Sequence, residues 1–190
     1  MKQILLLASA LITIASVVPY IIDVAKHKTK PRIVSWFVWT VLMVIAGSAA
    51  LSDGNIPTAV LSLAAATATG LVVIIGYKNS DKTFTRLDIV SFIGACIGLA
   101  LWWYFDSPLA AIIMSVATDF VGAMPTVWHA YKKPKEETTS TFVLSGIGAL
   151  LALLAVSEFS FATLLLPIYL VCMNATIALI LVTRKQQHRR

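Results

Sequence analysis

The sequence predicts an all-α membrane protein of seven transmembrane helices. Three observations carry that expectation: a composition too apolar for a soluble core, seven apolar runs of spanning length, and basic residues confined to alternate loops. Of the 190 residues 58% are hydrophobic and 13% are charged, with a mean hydropathy of +0.85. Soluble domains hold roughly 45–50% apolar residues and about 25% charged ones. A molecule of this composition would have to be apolar on its surface as well as inside, and lipid is the solvent that permits it.

A crossing needs about 20 mostly apolar residues. The runs lie at 3–25, 33–51, 56–77, 87–105, 108–131, 141–157 and 160–183. The first opens with Met1-Lys2-Gln3 and contains Ala8-Ser9-Ala10, a small-x-small step of the kind found at signal cleavage sites. The apolar stretch before that step is too short and the run continues to Ile22, so it reads as a retained helix. Ser52-Asp53-Gly54-Asn55 is a turn, with Pro57 in the first turn of the next helix. Asp106-Ser107-Pro108 is a break, an N-cap and a proline at the first helical position. Val156-Ser157-Glu158 closes the sixth run.

The loops set the orientation. Lys26, Lys28, Lys30 and Arg32 follow the first run; Lys78, Lys82 and Arg86 follow the third. Lys132, Lys133 and Lys135 follow the fifth, and Arg184, Lys185, Arg189 and Arg190 follow the seventh. With seven crossings all of these share one side and only Lys2 is opposite. Positive loops stay inside, which predicts the N-terminus outside and the C-terminus inside. The other loops carry only acids: Asp53, Asp106 and Glu158. The net charge of +6 is thereby explained by topology, with no nucleic-acid partner expected. Cys96 and Cys172 lie inside apolar runs in no metal or disulfide pattern, and are expected as small core residues.

The chain also repeats itself. Val18-Pro19-Tyr20 through Lys26 aligns without a gap on Met124-Pro125-Thr126 through Lys132, at an offset of 106. The match continues to Ser35-Trp36-Phe37-Val38 against Thr141-Phe142-Val143-Leu144. Three runs, one linker run and three runs follow. An odd linker lets the second copy enter from the same side as the first, so the repeats are parallel, about an axis along the membrane normal. The expected units are 1–77, a linker helix with its loops at 78–107, and 108–190.

This pattern resembles the SWEET and PQ-loop (MtN3-like) superfamily, in which each three-helix bundle carries a proline in its first helix. The resemblance covers nearly the whole chain. The family's Pro-Gln dipeptide is absent, replaced by Pro19-Tyr20 and Pro125-Thr126, and the second helices of the bundles lack prolines. The resemblance implies a transporter moving a small polar solute by alternating access: a sugar first, an amino acid or vitamin-like solute next. It further implies that Pro19 and Pro125 are hinges and that Asn174 contacts substrate. Relatives on the same scaffold include membrane receptors and sorting proteins, which is the alternative reading. The expected partners are a small-molecule substrate and the lipid bilayer, with a homo-oligomer left open; short loops suggest a bacterial inner (plasma) membrane.

Ser9, Thr13, Ser16, Tyr20 and Asp23 recur on one helix face, and the offset gives Ser115, Asp119, Gly122, Thr126 and His129 on the other. Such stripes face either a wet path or a helix contact, since small and hydroxyl residues also line packed helices. Asp119 is the sharpest candidate. As an anion at mid-bilayer it costs roughly 2.5–3.5 kcal/mol, and no Lys or Arg lies at its depth. Substrate contact or proton coupling is expected there. The position equivalent to Asn174 in the first repeat is Ala68, flanked by Thr67 and Thr69. The expected substrate site is therefore Asn174, Asp119, Thr13, Thr67, Thr69, Ser16 and Thr126. Trp36 and Trp39 are expected as interfacial anchors, and His27, His129 and His188 in solvated roles. No catalytic set, phosphate-binding loop or metal spacing is present in the sequence, so neither enzyme activity nor a cofactor is expected.

Overall fold

The structure is a computed structural model that describes residues 1–29, 31, 33–79, 86–105 and 107–187. The assignments at Lys30, Arg32, Lys82, Asp106, His188, Arg189 and Arg190 lie outside the described residues, as does the side chain of Pro125.

All regular structure among the described residues is helical. The helices are α1 (Lys2–Ala15), α2 (Val17–Ala25), α3 (Ile33–Ser52), α4 (Ile56–Gly76), α5 (Arg86–Phe105), α6 (Pro108–Lys132), α7 (Thr139–Ala155) and α8 (Phe161–Gln187). Short 3-10 turns occupy Tyr77–Asn79 and Pro134–Glu136. α1 and α2 form one 24-residue span, which with α3, α4, α6 and α8 makes five helices long and apolar enough to cross a bilayer. α7 is a shorter apolar helix of 17 residues, and α5 has 20. The fold is that of an integral, helical membrane protein.

Local chemistry sets the boundaries. The Asn55 side chain accepts from the Thr58 amide with Pro57 beside it, and Ser107 accepts from the Ala110 amide with Pro108 at the first position. Both are caps satisfying amides that a helix start leaves free. α1 is separated from α2 at Ser16, which keeps helical dihedrals (φ −59°, ψ −29°). Pro19 has no N–H to return to Ala15, so the ladder is interrupted one turn before the proline.

Packing follows a regular scheme. α4 lies against both α1 and α3, and α8 lies against both α6 and α7. α1 packs on α7 and α3 on α6, while α5 covers α6 and α3. Small residues permit the close approach, as expected where lipid removes the hydrophobic incentive to associate. A methyl at Gly47 would stand 2.9 Å from Leu63, and one at Gly148 would collide with the Thr13 side chain. Gly94 is likewise filled by Thr118, so that glycine serves contact between α5 and α6.

The two ends differ in how they close. At one end Lys2 donates to the Val156 carbonyl, Asn55 to that of Ala162, and Thr58 to that of Thr163. Just inside lies a shared apolar core from α3, α4, α6 and α8, including Leu42, Ala46, Ile112 and Leu166. At the other end, where Lys26, Lys133 and Lys185 gather, the core splits. Val17, Tyr20, Trp36 and Val72 form one cluster; Ala130, Phe142, Ile177 and Leu181 form another. Cys96 and Cys172 are exposed and do not belong to a core, contrary to expectation. Both sit on the outer faces of their helices, where the apolar thiol side chain meets lipid as readily as protein.

Candidate functional site: a cavity between the split clusters

A cavity of about 120 Å³ opens between the two separate clusters and reaches the middle of the helices. That is room for several waters or a small solute. Its wall includes Thr13, Ser16, Thr69, Asp119 and Asn174, five of the seven residues expected in a substrate site. The other two are corrections. Thr67 is exposed, with its hydroxyl turned onto the Leu63 carbonyl of its own helix. Successive helical residues turn by about 100°, so Thr67 and Thr69 cannot share a face. Thr126 is half-buried on α6 but does not line the cavity, which ends nearer Ala123. Pro19 is half-buried on α2.

The wall is built from equivalent positions. Thr13 and Asp119 both line it, as do Val17 and Ala123, Trp36 and Phe142, Trp39 and Ser145, and Ala68 and Asn174. Each pair is separated by 106 residues, the offset of the sequence repeat. The elements that carry them begin at the same spacing: Lys2 and Pro108, Ile33 and Thr139.

Asp119 is 7% exposed and accepts a hydrogen bond from the Tyr169 hydroxyl. No other bond to it is present among the described residues, so one carboxyl oxygen is left for a ligand or water. Tyr169 was not singled out from the sequence; its role depends on α8 crossing α6, which no local pattern announces. Asn174 donates from Nδ2 to the Leu170 carbonyl at 2.8 Å, leaving its Oδ1. The hydroxyls of Thr13 and Thr141, 4% and 3% exposed, have no hydrogen-bond partner. A buried polar group without a partner costs about 1–3 kcal/mol. The Thr13 hydroxyl faces Gly148, so that orphan lies in the contact of α1 with α7. Ser145 donates to Ser16 at 2.9 Å, and Ser16 donates to the Thr13 carbonyl at 2.7 Å, tying α7 to α1.

The aromatic residues depart most from expectation. Trp36 is buried, not interfacial. Its ring lies 4.8 Å from Tyr20 and 5.3 Å from Trp39, and both indoles line the cavity. The expected signal for an anchor, tryptophan near a helix end, is the same signal that a cavity floor gives.

No family model matches the chain, and no curated protein or solved structure matches it.

Below the cavity the two sides are bridged by polar groups. Thr138 donates to Asp23 at 2.7 Å and Thr29 to the Glu136 carbonyl at 3.5 Å. Lys185 donates to the Glu137 carbonyl and to Thr139. His129 is solvent-accessible as expected, with its Nε2 3.3 Å from Glu136 and 4.0 Å from Glu137. Burial pushes Glu137 up to about 7, with Lys185 opposing and Glu136 adding to the shift. Among the described residues no cluster of three His, Cys, Asp or Glu could hold a metal.

Proposed function

We propose that the protein is a membrane transporter for a small polar solute, working by alternating access between two three-helix units, 1–77 and 108–190, joined by α5. The observation that carries this reading is the cavity itself. It lies between positions related by the 106-residue repeat, contains a buried carboxyl, and is closed by different means at its two ends. The far end is sealed by a shared apolar core. The basic end is held by a few hydrogen bonds between clusters that do not interpenetrate. Opening the basic end therefore breaks only polar contacts that water can replace, which net about 1 kcal/mol each. The rule for positive loops places that end in the cytoplasm and the N-terminus outside. Parallel repeats with a site at their interface are one of the known transporter plans, and the SWEET-like pattern of paired prolines agrees with it.

The test is a reversible lock. In a background carrying Cys96→Ala and Cys172→Ala, Asp23→Cys with Thr138→Cys places two thiols across the basic end. In proteoliposomes, oxidation is expected to stop solute exchange and reduction to restore it. A protein that binds solute with no exchange in either state is a receptor, and the transport proposal then fails.

A further inference from the structure

Several of the polar groups around the cavity are already committed to one another. The Ser16, Ser145 and Thr69 hydroxyl protons are spent on the Thr13 carbonyl, on Ser16 and on the Ala65 carbonyl. The Asn174 amide gives one of its two N–H protons to the Leu170 carbonyl. Left over are one oxygen of Asp119 and, on Asn174, Oδ1 and one N–H. No Lys, Arg or His stands among the described lining residues. Much of the remaining wall is Trp36, Trp39, Phe142 and methionine.

This inventory selects by charge. A carboxylate or phosphate would meet Asp119 with nothing to neutralise it. A sugar would leave the charge of Asp119 uncompensated. A cation is the complement: a protonated amine both pairs with the carboxylate and donates to it, and a quaternary ammonium, which has no N–H, pairs by charge alone. Aromatic faces attract such a cation, more strongly where water is excluded. We infer that the cavity takes a small organic cation, an amine or quaternary ammonium, with its charge against Asp119 and its apolar part against Trp36 and Trp39. This deepens the transporter reading and takes the same cavity as its site.

The test uses the purified full chain in nanodiscs and the tryptophan fluorescence of the cavity wall. The probes are choline, its uncharged carbon isostere 3,3-dimethylbutanol, glucose, propionate, and sodium or potassium chloride. Choline is expected to change the fluorescence saturably and to bind about tenfold or more tightly than the isostere, the effect of a hydrogen-bonded or paired charge. Glucose, propionate and the inorganic salts are expected to give no saturable change. Asp119→Asn should bring choline and the isostere to equal affinity, and Asp119→Glu should restore part of the preference. The wild-type comparison stands alone if the variants do not fold. Equal binding of choline and its isostere, a preference for glucose, or saturation by salt alone would overturn the inference. Labelled choline and glucose in proteoliposomes separate the two claims. Choline bound but not carried defeats only transport, and glucose carried with no choline response defeats only the cation.

Discussion

The two sides of the cavity occupy equivalent positions and carry different chemistry. The first half contributes Thr13, Trp36, Trp39 and Ala68; the second contributes Asp119, Phe142, Ser145 and Asn174. Matching backbone positions bring the side chains to a common place. Their divergence gives one wall that is aromatic and another that is acidic and amide-bearing. A symmetric pocket would hold a symmetric guest; this one can orient a molecule with a charged end and an apolar end.

Erasing the difference should weaken the site, most of all at the acid. Asp119→Thr copies Thr13 into the second half and removes the charge. Removing one partner of a desolvated charge pair costs about 2–5 kcal/mol, so affinity for choline is expected to fall roughly thirtyfold or more by fluorescence titration. Unchanged affinity would detach Asp119 from the site.

A methyl on α7 tests the seam between the halves. Gly148→Ala meets the Thr13 side chain and the Ser9 carbonyl, the latter at 3.2 Å. Overpacking costs typically about 1–3 kcal/mol, offset by about 1 kcal/mol of helix propensity. A lower unfolding temperature in detergent is expected. Gly146→Ala approaches the Asn174 Cβ at an ordinary 3.4 Å and should be neutral or stabilising. If both variants behave alike, the contact of α1 with α7 is looser than described.

Asn174→Ala copies Ala68 and removes one neutral amide. A loss of about 1 kcal/mol, roughly fivefold in affinity, is expected. An effect as large as that of Asp119→Thr would mean that the amide, not the acid, anchors the ligand.

The smallest contrast lies at the basic end, where the first half has Asp23 and Pro31 and the second has His129 and Glu137. Glu137 is raised in the folded state from 4.5 to about 7. Folding therefore favours its protonated form. Its stabilising contribution is complete below pH 4.5 and is lost as pH rises through about 7. Glu137→Gln should flatten the dependence of unfolding temperature on pH over that window. An unaltered profile would assign the titration elsewhere.

The sequence carried the span positions well because caps and prolines mark them: Asn55 with Pro57, and Ser107 with Pro108. Prediction erred where helices continue past the lipid boundary. α8 was expected to stop at 183 and runs to Gln187, with Arg184 donating to the Tyr131 carbonyl and Lys185 to that of Glu137. α7 was expected at 141–157 and runs from Thr139 to Ala155. The candidate site was legible where a residue's type is costly in lipid, as at Asp119, or recurs on a stripe, as at Thr13 and Ser16. It was illegible where partnership crosses helices. Tyr169 reaching Asp119 and Trp36 folding over Tyr20 depend on helix rotation, which apolar runs do not encode. The paired threonines at 67 and 69 show the same gap, since composition cannot say which one turns inward.

The interruption at Ser16 has a mechanical corollary. Its counterpart α6 runs unbroken from Pro108 to Lys132, so the two leading spans differ in stiffness. Each proline removes one rung, to Ala15 and to Val121, yet only the amino-terminal span is interrupted as a helix, so strain applied along the pair collects there. Amide protons around 15–17 should exchange with solvent deuterium sooner than those around 121–123, making the amino-terminal arm the compliant partner of an unequal pair.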